Sequence, residues 1–344
     1  MLVGASFVPR TANAVSLVSS PAVCDPGVSI WKKDGRFVYL LGTAHISSAS
    51  ATLAGDLVKD VHPEGVFVEL DLKRVSGSGI LAGRLRDEKE EGAPTSRVLV
   101  PYIERIPTGN ERASISSLGT TQEGSVAQSP PASAGSPAPA PAPAAKQNFM
   151  SRAASAAVGN SIRGMYKKLD SAGFQAGEEF VVAIREGQKI GSAIVLGDRD
   201  VEVTLGRVAD GLARTDLKAL MNPDSELEQS LKDLVPSQVA SASSNGDIGD
   251  LSDEEFRKEF STFVETIKAK ENVRKVMGQL ERIAPALYEA LVSERDAYMA
   301  AGLNSLDELE TIVAVMGVAH VDGVERSLQM NGWTAVAPKC PARR

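Results

Sequence analysis

Cysteine is nearly absent from this chain of 344 residues, and the two present, Cys24 and Cys340, stand near opposite ends without any pattern around them. Neither a disulfide framework nor a cysteine-based zinc knuckle is expected from such a pair, and a reducing compartment accords with it. Also lacking is any run of about 18 apolar residues, the length a helix needs to cross hydrocarbon, so no transmembrane segment is expected. The formal charge is -7 and no basic cluster is interleaved with aromatics, which make up only 5% of the residues. Phosphate binding needs concentrated Lys and Arg, so nucleic acid is not an expected partner. Asp and Glu are missing from the first 24 residues, which contain several Ser and one Arg, Arg10. Residues 1–27 therefore read as a flexible N-terminus or a weak targeting segment, short of the Arg richness of an organellar presequence.

What the chain does have is a hydrophobic content of 43%, enough for a sizeable core. One domain is expected over 28–340, with two interruptions. Residues 76–154 run through "SPPASAGSPAPAPAPAAKQ", where Pro, Ala, Gly and Ser leave little to bury, and read as a disordered or polyproline-like insertion. Residues 236–253 read as a polar linker.

Three ordered blocks remain. The first holds a strand "FVYLLG", a helix from Ser48 to Val61 and a strand "GVFVELD". The second holds a helix "AGEEFVVAIREGQKIG" closed by Gly191, a strand "SAIVLGDRD", and Leu-rich helices around Val203 to Leu220 and Leu227 to Leu234. The third is helical from about Glu254 to Ala301 and ends with "TIVAVMG", a helix through "VDGVERSLQMNG" and a short strand "WTAVAP". Strands apolar on both faces, alternating with helices, predict an α/β fold with a mixed, largely parallel sheet covered by helices.

Histidine is scarce too: of three, His45 and His320 share one frame, an apolar run followed by Gly-x-Ala-His, while His62 in "DVHPEG" reads as a loop residue. In parallel sheets, ligands sit beyond the carboxyl ends of the strands. Four apolar strands here end in polar groups at that place, which would bring together His45, Glu69, Asp198, Arg199 and His320. Two imidazoles and a carboxylate, His45, His320 and Glu69, are a familiar ligand set for a divalent ion such as zinc, manganese or cobalt. Hydrolysis assisted by that ion is the expected chemistry, with Glu69 in a catalytic role and Arg199 holding an anionic group or developing oxyanion. The bland alternative is that the histidines are hydrogen-bonded strand-end residues, that Glu69 and Asp71 merely solvate the strand end, and that Arg199 is an ion-pair partner. In "SERDAYMAAGL", Glu294, Arg295 and Asp296 form either a solvated, mutually paired helix face or groups behind the ligands that orient them, with Glu294 supporting catalysis.

In these pieces the chain resembles the TraB/PrgY family, which is grouped with the TIKI proteases, erythromycin esterases and ChaN-like haem-binding proteins. The matching stretches are "LLGTAHIS", "GVFVELDLKR", "LGDRDVEVTLGR", "SERDAYMAAGL" and "VAVMGVAHVDGV", in that order. The resemblance implies a mixed α/β fold and a metal site built from two Gly-x-x-His motifs and a strand glutamate, here His45, His320 and Glu69. It also implies peptidase-like activity on a peptide substrate, inhibition of peptide pheromone signalling in bacterial members, and mitochondrial outer-membrane association in some eukaryotic members. Many bacterial members carry a C-terminal membrane region that this chain is not expected to have, and the Pro/Ala insertion suggests a eukaryotic protein; an intracellular location, cytoplasmic or at the mitochondrial outer membrane, is expected. Three functions follow: a metal-dependent hydrolase, a non-catalytic adaptor engaging a protein partner at a membrane surface, or a binder of haem or another small ligand in the same crevice.

Overall fold

The computed structural model describes residues 18–45, 48–77, 96–101, 177–216 and 261–340, apart from 263, 265 and 267. Most of the insertion expected at 76–154, all of the linker at 236–253 and the helix around 227–234 lie outside the described residues.

Seven strands form one sheet: β1 (Val28–Lys33), β2 (Arg36–Thr43), β3 (Gly65–Val68), β4 (Val98–Leu99), β5 (Ala193–Leu196), β6 (Thr311–Gly317) and β7 (Thr334–Val336), in the order β4-β5-β3-β6-β2-β1-β7. From β4 to β2 all neighbours are parallel, whereas β1 runs antiparallel to both β2 and β7. The expected mixed, largely parallel sheet is thus present.

Successive side chains of a strand point to opposite faces, and the core divides accordingly. Tyr39, Leu41, Val66, Val68, Val313 and Val315 face α1 (Ser48–Val61) and α3 (Glu178–Lys189), packing on Leu57, Val58, Phe180 and Ile184. Val38, Leu40, Phe67, Ile312, Ala314 and Met316 face the other way, against Met299 and Leu303 of α7 (Glu294–Ser305) and Val321, Val324 and Leu328 of α8 (Val318–Met330). Strands buried on both faces read as continuous apolar runs because neither face meets water. The connecting elements are α2 (Leu72–Gly77), α4 (Val201–Ala213), α5 (Lys270–Ile283) and α6 (Pro285–Tyr288). The described part of the long helical region is broken at Pro285 and then passes through a π turn, Glu289–Ser293, into α7.

Four features differ from the sequence expectation. Cys24 and Cys340 are joined in a disulfide, with Cα atoms 5.7 Å apart. Spacing could not reveal that contact, because β7 returns to the edge of β1 and carries the C-terminal segment back to the start of the domain. The expectation of a reducing compartment loses its basis with it. Strand β1 was not expected; it forms a hairpin with β2 through Asp34 and Gly35, both at positive φ (48° and 84°), the conformation a two-residue Asp-Gly turn favours. Within the N-terminal segment expected to be flexible, Ala22 and Val23 are buried in the core. Finally, β4 lies inside the stretch expected to be an insertion and pairs with β5.

Candidate functional site

Parallel pairing aligns the two Gly-x-Ala-His frames. Gly42 faces Met316 and Thr43 faces Gly317 across β2 and β6, so both frames leave the sheet at one edge. They then diverge: His45 takes a left-handed backbone (φ 59°) in a turn, whereas His320 sits in the first turn of α8. Glu69 follows β3, with its backbone N–H donating to Val315 at the end of β6, and Asp198 follows β5, with its own N–H donating to Leu70. The expected convergence at the carboxyl ends of the strands is therefore the geometry of His45, Glu69, Asp198 and His320.

Glu69 stands between the two imidazoles. Nε2 of His320 is 3.3 Å from its Oε1, and Nε2 of His45 is 3.7 Å from its Oε2. Each ring is held from behind through Nδ1, which lies 2.6 Å from Glu179 Oε1 for His45 and 2.6 Å from Asp296 Oδ1 for His320. Carboxylates in those places fix the rings and the tautomer that carries the proton on Nδ1. The backbone N–H of Gly317 donates to Glu69 Oε2 at 2.6 Å, and a Cβ at Gly317 would lie 2.6 Å from Nε2 of His45. At Gly323 a Cβ would collide with the carboxylate of Asp296. Glycine at both positions is thus required by the close approach of site groups.

Arg295 also reaches this floor. It forms a two-point pair with Asp198 (Nε to Oδ1 3.1 Å, Nη2 to Oδ2 2.6 Å), donates to Glu69 Oε1 through Nη2 and to the Leu291 carbonyl through Nη1, and sets Nη1 2.9 Å from Nε2 of His320. Asp198 also accepts from Arg74, which Asp71 holds from the other side while capping α2 through the backbone of Lys73 and Arg74. Arg199 and Glu294, expected at the reacting centre, instead pair with each other at 2.6 Å; Arg207 joins Glu294, and Arg199 also donates to the Ala290 carbonyl. That cluster ties α4 to the π turn and α7, and neither Arg199 nor Glu294 lines the crevice. The arginines that line the crevice are Arg295 and Arg74.

Electrostatics tighten the floor. Burial opposes ionisation of Glu69, but His320, His45 and Arg295 outweigh it and hold the carboxyl well below its usual range. Burial likewise opposes a charged His320, yet Glu69 and Asp296 push that ring up to about 9, with Arg295 acting against them. Nε2 of His320 is contested: a guanidinium carries only donors, so a hydrogen bond from Arg295 needs a lone pair there, whereas the carboxylates favour a proton. His45 is also raised, through Glu179 and Glu69 against burial. Asp296 is raised by burial.

These groups floor a crevice of about 570 Å³ whose walls include Ala44, Leu70, Phe180, Val201, Val318 and Ala319. Phe180 also packs on His45, ring centroids 5.2 Å apart. Helix α8 opens into the crevice without a side-chain cap, so its positive end faces the site. Sequence reasoning missed Glu179, Arg74 and Phe180. The signal available for Glu179 was weak, since an acid in the first turn of a helix is ordinary helix-dipole chemistry; its complete burial is not.

The donor set suits a divalent cation. Among the described residues five buried carboxylates, Glu69, Asp71, Glu179, Asp198 and Asp296, cluster here with the guanidiniums of Arg74 and Arg295 and the two imidazoles. Oε2 of Glu179 has no hydrogen-bond partner among the described residues although it is buried. Among the described residues no three His, Cys, Asp or Glu side chains already stand at the spacing that encloses an ion. Arg295 bridges Glu69 and His320 there instead.

The class of protein that this fold and site define is given by comparison. The family model of the TraB/PrgY/gumN family matches residues 156–336, more than half of the chain, and the chain belongs to that family. It is 27% identical over 298 residues to an uncharacterized protein of Methanocaldococcus jannaschii, an alignment covering 85% of this chain and 53% of the relative. The chain thus spans about half the length of the curated relative it matches. No helix among the described residues is long and apolar enough to cross a membrane.

Proposed function

We propose that this TraB-family chain is a metal-dependent hydrolase of peptide-like acyl bonds, with His45, Glu69 and His320 holding the ion. The observation that carries the reading is the convergence of two carboxylate-backed imidazoles on one buried glutamate at the floor of an apolar-walled crevice. A bound divalent ion supplies Lewis acidity towards the carbonyl and its attacking oxygen. The chain does the rest. Glu179 and Asp296 keep the Nδ1 protons in place, so each Nε2 offers a lone pair to the ion. The uncapped start of α8 and the Arg295 guanidinium favour negative charge developing on the carbonyl oxygen. The walls formed by Leu70, Phe180, Val201 and Val318 exclude water and accept uncharged side chains flanking the bond.

The test is elemental analysis of the wild type beside the H45A/H320A double variant, after incubation with zinc, manganese or cobalt, with circular dichroism to establish that both are folded. Near-stoichiometric metal in the wild type and none in the variant supports the reading and opens a peptide-substrate screen. No metal in either favours a non-catalytic adaptor, a reading to which the exposed Leu72, Val203 and Leu205 on α2 and α4 lend an apolar surface.

A further inference from the structure

We infer that Arg295 is a built-in competitor of the cation placed at Glu69 and His320, an inference that rests on the metal-site reading above. Loading the site requires the guanidinium to release His320.

All five N–H groups of Arg295 are engaged: one on Asp198 Oδ1, one on Asp198 Oδ2, one on Glu69, one on the Leu291 carbonyl and one directed at Nε2 of His320. The last is the vulnerable one. A zinc ion ligated by imidazole sits about 2.0–2.1 Å from the ring nitrogen. Nη1 already stands 2.9 Å in front of that nitrogen and carries the same sign of charge. The two cations are alternatives at this atom. The two-point pair with Asp198 lies on the other side of the guanidinium, so Arg295 can give up His320 without leaving the crevice.

Two further observations fit. The guanidinium bridges Glu69 and Asp198 and so places positive charge between two buried carboxylates. The residue is also delivered by a π turn, Glu289–Ser293, which ends just before α7 and contributes the Leu291 carbonyl to the same guanidinium. Such widened turns recur at functional sites because they aim a side chain that a regular helix would place elsewhere. In this reading Arg295 keeps Glu69 and His320 arranged before loading and restrains affinity once an ion arrives.

The experiment titrates cobalt into the full chain, stripped of metal, and follows heat and visible absorption for the wild type, R295M and R295K. R295M is expected to bind cobalt at least about tenfold tighter, the equivalent of one hydrogen bond to a charged group plus the lost repulsion. Its metal-free form melts lower than the wild type, and added cobalt raises its melting temperature by more. R295K, which keeps the charge but not the fork, falls between the two and guards against a methionine variant that does not fold. Equal or weaker binding in both folded variants overturns the competitor role and leaves the metal reading intact. No cobalt binding by any of the three proteins overturns both.

Discussion

Glu179 and His45 are 134 residues apart in sequence, yet Oε1 of the glutamate lies 2.6 Å from Nδ1 of the imidazole, and the carboxylate is fully buried. The pair joins the start of α3 to the turn after β2, and Thr43 donates to the same oxygen at 3.2 Å. Replacing Glu179 by Ala leaves the imidazole without its orienting acceptor. Metal affinity should fall about 10- to 100-fold, the usual effect of removing a group that orients a ligating histidine, with a stability loss of about 1–3 kcal/mol. Cobalt titration and thermal melting read the two separately. Wild-type affinity in a folded E179A protein would remove Glu179 from the site.

Gly317 is the position where one methyl group decides the geometry. A Cβ there comes within 2.6 Å of Nε2 of His45 and 3.3 Å of Oε2 of Glu69. G317A should therefore displace the His45 ring or the Glu69 carboxylate while the sheet, held by β2, β3 and β6 on either side, persists. The expected outcome is native far-ultraviolet circular dichroism with metal content cut severalfold. Undiminished metal content would show that the floor tolerates more volume than this spacing allows.

The legible parts of the site were those written locally. The repeated Gly-x-Ala-His frame and the polar ends of the apolar strands pointed to His45, Glu69, Asp198 and His320, because parallel pairing turns strand ends into neighbours. Asp-Gly at 34–35 carries a hairpin signal as well, but the expected elements did not include β1. Glu179, Arg74 and the displaced roles of Arg199 and Glu294 were not legible. They depend on which way α2, α3, α4 and α7 turn against the sheet and each other, and identical charges on a helix face serve a solvated surface or a buried network equally well. The disulfide was hidden for a related reason: 316 residues separate its cysteines, and only the sheet order brings them together.

That disulfide makes a prediction of its own. It closes nearly the whole chain, and the Ser19 hydroxyl donates to the Lys339 carbonyl beside it, so the entry and exit of the domain are tied at one place. Cross-links closing long loops stabilise by restricting the unfolded chain, and C24S should cost about 2–5 kcal/mol. Cys340 is exposed, so a reductant can reach the bond. Thermal melting of the wild type with dithiothreitol should approach that of C24S without it, and C24S itself should not respond. A wild type indifferent to reductant would mean that packing of residues 18–27 alone holds this edge.

The pH dependence of the metal-free protein follows from opposite shifts at one cluster. His320 is raised from 6.5 to about 9, and His45 is raised as well. A group with a raised folded value contributes stability that is complete below its unfolded value and is lost as pH rises through the folded one. Glu69 is lowered well below 4.5, so its contribution is complete above about 4.5 and is lost as pH falls through the folded value. Stability should therefore be greatest between about pH 4.5 and 6.5 and decline on both sides, with His320 accounting for roughly 3 kcal/mol of the alkaline limb. Urea melts at closely spaced pH values, in the presence of a chelator, measure the profile. H320Q should flatten the limb between pH 6.5 and 9 and also shrink the acid limb, because His320 contributes most to holding the Glu69 carboxyl down. A wild-type stability that rises from pH 6.5 to 9 would mean that Arg295, not Glu69 and Asp296, controls the His320 ring.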